Sequence, residues 1–357
     1  MCIPILFTSC ASTDVSAAGS PTPTPQINFW QQACEDYELR ETKDYLKVYD
    51  QIISDYCKGA EPENFELNIE ASETVDPEAL SFHKDSELFF LSYWSPLMGD
   101  VPQKQEFVFT NKDQKWWEEK QLQSLFNPDL SWFTSKSEGG HCRVDPFIYC
   151  SKLFEPSLTK SGSPVDFRII GTSYRQEFWQ KTNIAHETVH LYQDSLGMTH
   201  WTPWYVEGQA TLFELAAGEL LLGNDQLRLE YINRVARHDR APFSFENSDS
   251  VYQHFLTCGQ SQQGECEQFF YAAASMFHEK LILDHGLDTY FLWQQKLANQ
   301  MPKGNPGTFT QDQTQVMFET FKELFESTFT YSLQDFESTI APSYVSEKFL
   351  EAPKNVQ

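Results

Sequence analysis

His186-Glu187-Thr188-Val189-His190 sets two imidazoles four residues apart with a carboxylate beside the first. On a helix, positions four apart share one face, about 6 Å apart along the axis. Two imidazoles so placed aim at a single metal ion, and Glu187 sits at its edge. The chemistry this pattern serves is a zinc ion on two nitrogens, with a carboxylate that takes a proton from a zinc-activated water. Glu207, in Trp204-Tyr205-Val206-Glu207-Gly208-Gln209-Ala210, offers a third ligand. Three protein ligands leave a fourth position open, which separates a catalytic zinc from a structural one.

Two helices must carry these residues. Phe178, Ala185, Val189, Tyr192 and Leu196 recur at helical spacing around the motif. Ser173 with Gln176 reads as a capping box and Gly197 as a left-handed stop, so the motif falls in mid-helix. Thr202 as N-cap and Pro203 in the first turn open a second helix. Its apolar run Val206, Ala210, Phe213, Ala217, Leu220 continues to Gly223. The short link Gly197–Thr202 folds it back, so that Glu207 faces the histidine pair. Glu214, two turns further on, reads as orienting one of the ligands.

The constellation resembles a gluzincin metallopeptidase and is most similar to the aminopeptidase N-like group. That group pairs H-E-x-x-H with a W-x-x-E-G-x-A block, matched here by Trp204, Glu207, Gly208 and Ala210. Phe270-Tyr271-Ala272-Ala273-Ala274 through His285-Gly286 to Leu297 looks like the helix that follows in the family. The likeness covers about Arg168 to Ala298. It implies zinc, one ion per chain, on His186, His190 and Glu207, with Glu187 as general base and Tyr271 stabilising the oxyanion. Sixteen residues separate His190 from Glu207, fewer than the family's usual spacing, which implies a tight connecting loop. No G-x-M-E-N-like segment, which captures a free amino terminus in the family, precedes the helix; Gly171-Thr172-Ser173-Tyr174 stands there instead.

The chain has 357 residues, 40% of them hydrophobic, ample for one to three domains. A formal charge of −25 repels phosphate backbones and anionic headgroups, so nucleic acid is not an expected partner. Setting aside Cys2 and Cys10 near the start, the 8 cysteines leave an even remainder, as disulfides in an exported chain require. Cys142–Cys150 and Cys258–Cys266 are close pairs. Cys34 and Cys57 bond only if the helical stretch Ile27–Cys57 breaks near Leu39–Thr42; an unbroken helix holds them ~35 Å apart. The rival reading of the cysteines, a structural zinc, lacks any C-x-x-C spacing.

Met1–Cys10 resembles the end of a bacterial lipoprotein signal, truncated and without a basic start, in which Cys10 carries the lipid. Residues 11–26 are rich in Ser, Thr and Pro and read as a tether. An extracytoplasmic protein follows, secreted or lipid-anchored, its only membrane link the lipid at Cys10. Phe65–Ile69 alternates, and Leu88–Tyr93, Glu106–Thr110 and Asp166–Gly171 are β-prone. After Gly223, helices are expected over Asp225–His238, Glu265–His285, Leu287–Gln300, Asp312–Ser327 and Ser332–Ile340. The expected class is therefore α+β. A helical and small mixed β-sheet subdomain (27–171) precedes a mainly helical one (172–357), in a thermolysin-like gluzincin architecture. His141, His200, His254 and His278 are read as ordinary exposed histidines. The expected function is hydrolysis of peptide or protein substrates. The alternative is a non-catalytic peptide- or cell-wall-binding protein on the same scaffold, although a binder has no need of Glu187.

Overall fold

The computed structural model describes residues 29–40, 47–59, 67–73, 75, 77–98, 103–109, 114–119, 147–154, 167–170, 174–195, 202–223, 228, 232, 246–261, 265–301 and 310–351. In chain order the elements are α1 (Phe29–Glu38), α2 (Lys47–Cys57), β1 (Leu67–Ala71), α3 (Pro77–Met98), β2 (Gln103–Phe109), α4 (Gln114–Glu119), β3 (Phe147–Phe154) and β4 (Phe167–Ile170). Then follow α5 (Tyr174–Ser195), α6 (Pro203–Leu222), α7 (Ser248–Ser261), α8 (Glu265–His285), α9 (Leu287–Gln300) and α10 (Gln311–Thr328). A turn at Leu333–Asp335 and a π-helical segment Phe336–Ile340 lead into α11 (Ala341–Glu351).

The expected α+β class with a β-sheet subdomain is overturned. Of the residues described down to the side chain, 88% are helical and 2% lie in strand, with no sheet among them. The backbones of the four extended segments pair in the order β1-β2-β3-β4, the first pair parallel and the others antiparallel. The clearest physical reason lies in Leu88–Tyr93, which was expected to favour a strand and instead sits inside α3. A short continuous apolar run looks the same whether it is a buried strand or a helix buried on several sides. Here Phe90, Leu91 and Trp94 are buried in helix, with Phe89 and Tyr93 packed against the same core.

The helical core is organised around α6. Trp204, Tyr205, Val206, Ala210, Leu212, Phe213, Leu215, Ala216, Ala217 and Leu220 are all buried, which leaves α6 almost no exposed face and demands neighbours all round. α2, α5 and α8 supply them. Each large side chain fully buried there contributes about 1.5–3 kcal/mol. Trp94 of α3 stacks on Tyr192 of α5 at 4.6 Å and meets Phe213 of α6 edge-on at 4.7 Å, so the N-terminal helices share one core with the rest.

Local signals set the helix ends. Gly223 closes α6 at φ 70°, and its N–H bonds to Glu219 O. Pro203 does stand at the start of α6, where a missing N–H costs nothing. Thr202 precedes it, although its side chain makes no cap bond there. α1 and α2 are separate helices, the condition on which a Cys34–Cys57 bond depended, and the two cysteines are bonded across them. Cys258–Cys266 joins α7 to α8. Cys142 lies outside the described residues, as do Ser173, Gly197, His141, His200 and the segment 1–28. α8 and α9 fall at the expected bounds, α10 within a residue of them, and of Asp225–His238 the described Arg228 and Ile232 are helical. α7 and α11 were not anticipated. Among the described residues, no helix is long and apolar enough to cross a membrane.

Candidate metal centre

The motif lies in the interior of α5, packed along α6. Ala185, Val189 and Tyr192 form the buried stripe on α5, and this turns His186 and His190 toward α6. His186 Nε2 and His190 Nε2 stand 3.1 Å apart. Glu207 Oε2 lies 3.5 Å from the first and 3.6 Å from the second. Glu187, half-buried, brings a carboxylate oxygen within 4.8 Å of donor atoms on both histidines.

Each imidazole is held from behind. His186 Nδ1–H donates to Glu214 Oε2 at 3.1 Å, and the other oxygen of that buried carboxylate accepts from Thr182 Oγ1 at 3.4 Å. His190 Nδ1–H donates to Gln193 Oε1 at 2.8 Å. The Gln193 amide is anchored in turn, donating to Val206 O and to Gln209 Oε1, each at 2.9 Å. Gln193 thus ties the second histidine on α5 to the backbone just ahead of Glu207 on α6. With both Nδ1 atoms acting as donors, both Nε2 atoms face the same small space. Two neutral imidazoles would set lone pairs 3.1 Å apart beside a carboxylate there, so the space favours a positive charge, either a proton or a metal ion.

The donor set fits zinc. Three ligand atoms separated by 3.1–3.6 Å have the spacing of three ligands on one tetrahedral zinc at ~2.0–2.1 Å. The electrostatics agree. Burial pushes the His186 imidazole down, but hydrogen bonds to Glu207 and Glu214 outweigh it and hold the pKa at about 9, so the site favours positive charge. Burial pushes the Glu207 carboxyl up, yet the charge of His190 and bonds from both imidazoles hold it well below the usual carboxylate range. Glu214→Ala, which removes the support behind His186, is expected to weaken zinc binding about 10–100-fold, measured by competition with a chelating dye.

The third element of the site is α8. Gly208 permits its approach, because a Cβ at that position would meet Ala274 O at 2.4 Å. That close crossing brings Tyr271 beside the motif, its ring centroid 6.2 Å from that of His186. His278, expected to be exposed, is fully buried. Its Nε2–H donates to Trp204 O and Tyr205 O at 3.2 and 3.1 Å, and its Nδ1 accepts from Tyr290 Oη at 2.8 Å. This pins the start of α6, and so the height of Glu207. No signal within the sequence separates such a histidine from an exposed one, since its partners lie on other helices.

Burial holds His278 neutral, its pKa lowered to about 3 from an ordinary 6.5. Its contribution to stability is therefore fully present above pH 6.5 and is lost as pH falls toward 3, where only the unfolded chain binds the proton. The slope is about 1.4 kcal/mol per pH unit within that window. A His278→Gln protein is expected to be less stable at pH 7 but to show an acid slope shallower by one proton, measured from urea midpoints between pH 7 and 4.

Compared with models of known protein families, with curated proteins and with solved structures, the chain matches none.

Proposed function

We propose that this chain is an extracytoplasmic zinc-dependent peptidase of the gluzincin type. The observation that carries the reading is the convergence of His186 Nε2, His190 Nε2 and Glu207 Oε2 at 3.1–3.6 Å, each imidazole backed by an oxygen acceptor. When bound, zinc acidifies water and polarises a carbonyl oxygen. His186, His190 and Glu207 hold it. Glu187 accepts the proton that the attacking water gives up and passes it to the departing amine. Tyr271 extends its hydroxyl toward the carbonyl oxygen as negative charge develops there. The packing of α6 on α5 and α8 keeps these groups in register.

Two disulfides, Cys34–Cys57 and Cys258–Cys266, support an oxidising compartment. The strong negative charge argues against nucleic acid as substrate. Zinc-loaded protein is expected to cleave a mixed peptide library, to stop on addition of a chelator, and to resume when zinc is restored. The product termini then distinguish internal from terminal cleavage. A protein that holds one zinc per chain and leaves the whole library intact, while retaining peptides on a column, is a binder and not an enzyme.

A further inference from the structure

We propose that the staple between α7 and α8 is a redox-gated site for a thiophilic metal ion such as zinc, held by His254, Cys258 and Cys266. It is separate from the centre on α5 and α6 and does not depend on the peptidase reading.

His254 and Cys258 are four residues apart on α7 and share a face, and Cys266, the second residue of α8, meets Cys258 there. His254 Nε2 lies 3.4 Å from Cys258 Sγ, and the three donor atoms are all within 4.8 Å of one another. An imidazole nitrogen at ~2.0–2.1 Å and a thiolate at ~2.3 Å from one tetrahedral zinc stand about 3.5 Å apart, so this pair already has a ligand spacing. The imidazole is braced by the Phe269 ring, with centroids 4.6 Å apart.

The covalent bond between the sulfurs is what closes the site, because a metal needs them as thiolates. A thiolate of an external dithiol attacks one sulfur, the S–S bond breaks, and the reductant's second thiol resolves the mixed disulfide. Two electrons pass to the protein, which is left with two thiols, and the reductant leaves as its own disulfide. The freed sulfurs then withdraw to van der Waals separation, about 3.7 Å, which is also the distance between two thiolates on one zinc. Each thiol gives its proton to solvent as the metal binds. Two thiolates and a neutral imidazole balance a divalent ion, which suits a place where Cys258 is fully buried.

The helices do not rely on the disulfide to stay together. Phe255 of α7 stacks on Phe270 of α8 at 4.9 Å, and Gly259 lies so close to the Phe270 ring that an added Cβ would meet it at 3.0 Å. The donors therefore remain near one another after reduction.

Titration of the full chain with Co2+ tests this, because thiolate ligation gives a near-ultraviolet charge-transfer band that the His186, His190 and Glu207 set does not produce. The band is expected in protein reduced with a phosphine and absent from oxidised protein. Cys258→Ser and Cys266→Ser should each abolish it, and His254→Ala, which leaves every cysteine in place, should weaken cobalt binding by roughly tenfold or more. The proposal is overturned if reduced protein shows no band, if the band persists unchanged in the serine variants, or if His254→Ala binds cobalt as wild type does.

Discussion

Glu187→Gln is expected to retain one zinc per chain while hydrolysis of a library-derived peptide falls by about 10²–10⁴-fold. The amide has the size and shape of the carboxylate it replaces, and the ligands His186, His190 and Glu207 are untouched, so metal content should not change. What disappears is a base able to accept the attacking water's proton, an effect of that order in rate and about 3–5 kcal/mol in barrier. Metal analysis and kcat/KM on the same preparation decide the matter. Wild-type turnover with zinc in place would remove Glu187 from the mechanism. Glu207→Gln makes the complementary comparison, since it should lose metal and activity together. A loss of rate with metal retained identifies a proton acceptor, and a joint loss identifies a ligand.

Glu279→Ala should cost about 3–5 kcal/mol of stability, a large part of the ~5–15 kcal/mol that holds a typical domain together. Glu279, on α8, is buried and accepts from four donors. Arg228 Nη2 lies 3.0 Å from Oε1 and Arg228 Nε 3.3 Å from Oε2. Tyr344 Oη of α11 lies 2.5 Å from Oε1, and Tyr49 Oη of α2 3.1 Å from Oε2. The network thus fastens α2 and α11 to the helix that carries Tyr271. Removing the carboxylate strands the Arg228 guanidinium, itself mostly buried, with no counter-charge, and this penalty exceeds the loss of the bonds themselves. The loss should appear as a lower urea midpoint at an unchanged slope. Replacing both Arg228 and Glu279 with Met should recover much of it, because apolar groups of similar size often substitute for a buried ion pair at little cost. A double variant as unstable as the single one would show that the stranded charge is not the cause.

How far this could be read in advance depended on the range of the interaction. His186 and His190 were legible because a helix repeats every 3.6 residues, so spacing alone places them on one face, whereas Glu207 was read from the short link to the next helix. The limits of α6 were legible because Pro203 and Gly223 act on their own backbone. The separation of α1 from α2 was left open, because Cys34 and Cys57 cannot bond along one helix yet nothing local paired them with each other. Leu88–Tyr93 was misread because its apolar run carries no period, and only its neighbours in α3 made it helix. The β-sheet subdomain fails as well, because the residues described down to the side chain are 88% helical and 2% strand.

Contacts within a turn or two of chain thus gave the helices α5 and α6 and the candidate donors each one carries, His186 and His190 on the first and Glu207 on the second. Only the packing of helices decided that Glu214 stands behind His186, that the Gln193 amide is anchored on α6, that His278 pins the first turn of α6, and that Gly208 admits α8 closely enough to set Tyr271 beside His186. In most of these pairings the partners are a helix apart and tens of residues distant in sequence, so only the packing of one helix on another brings their atoms to bonding distance.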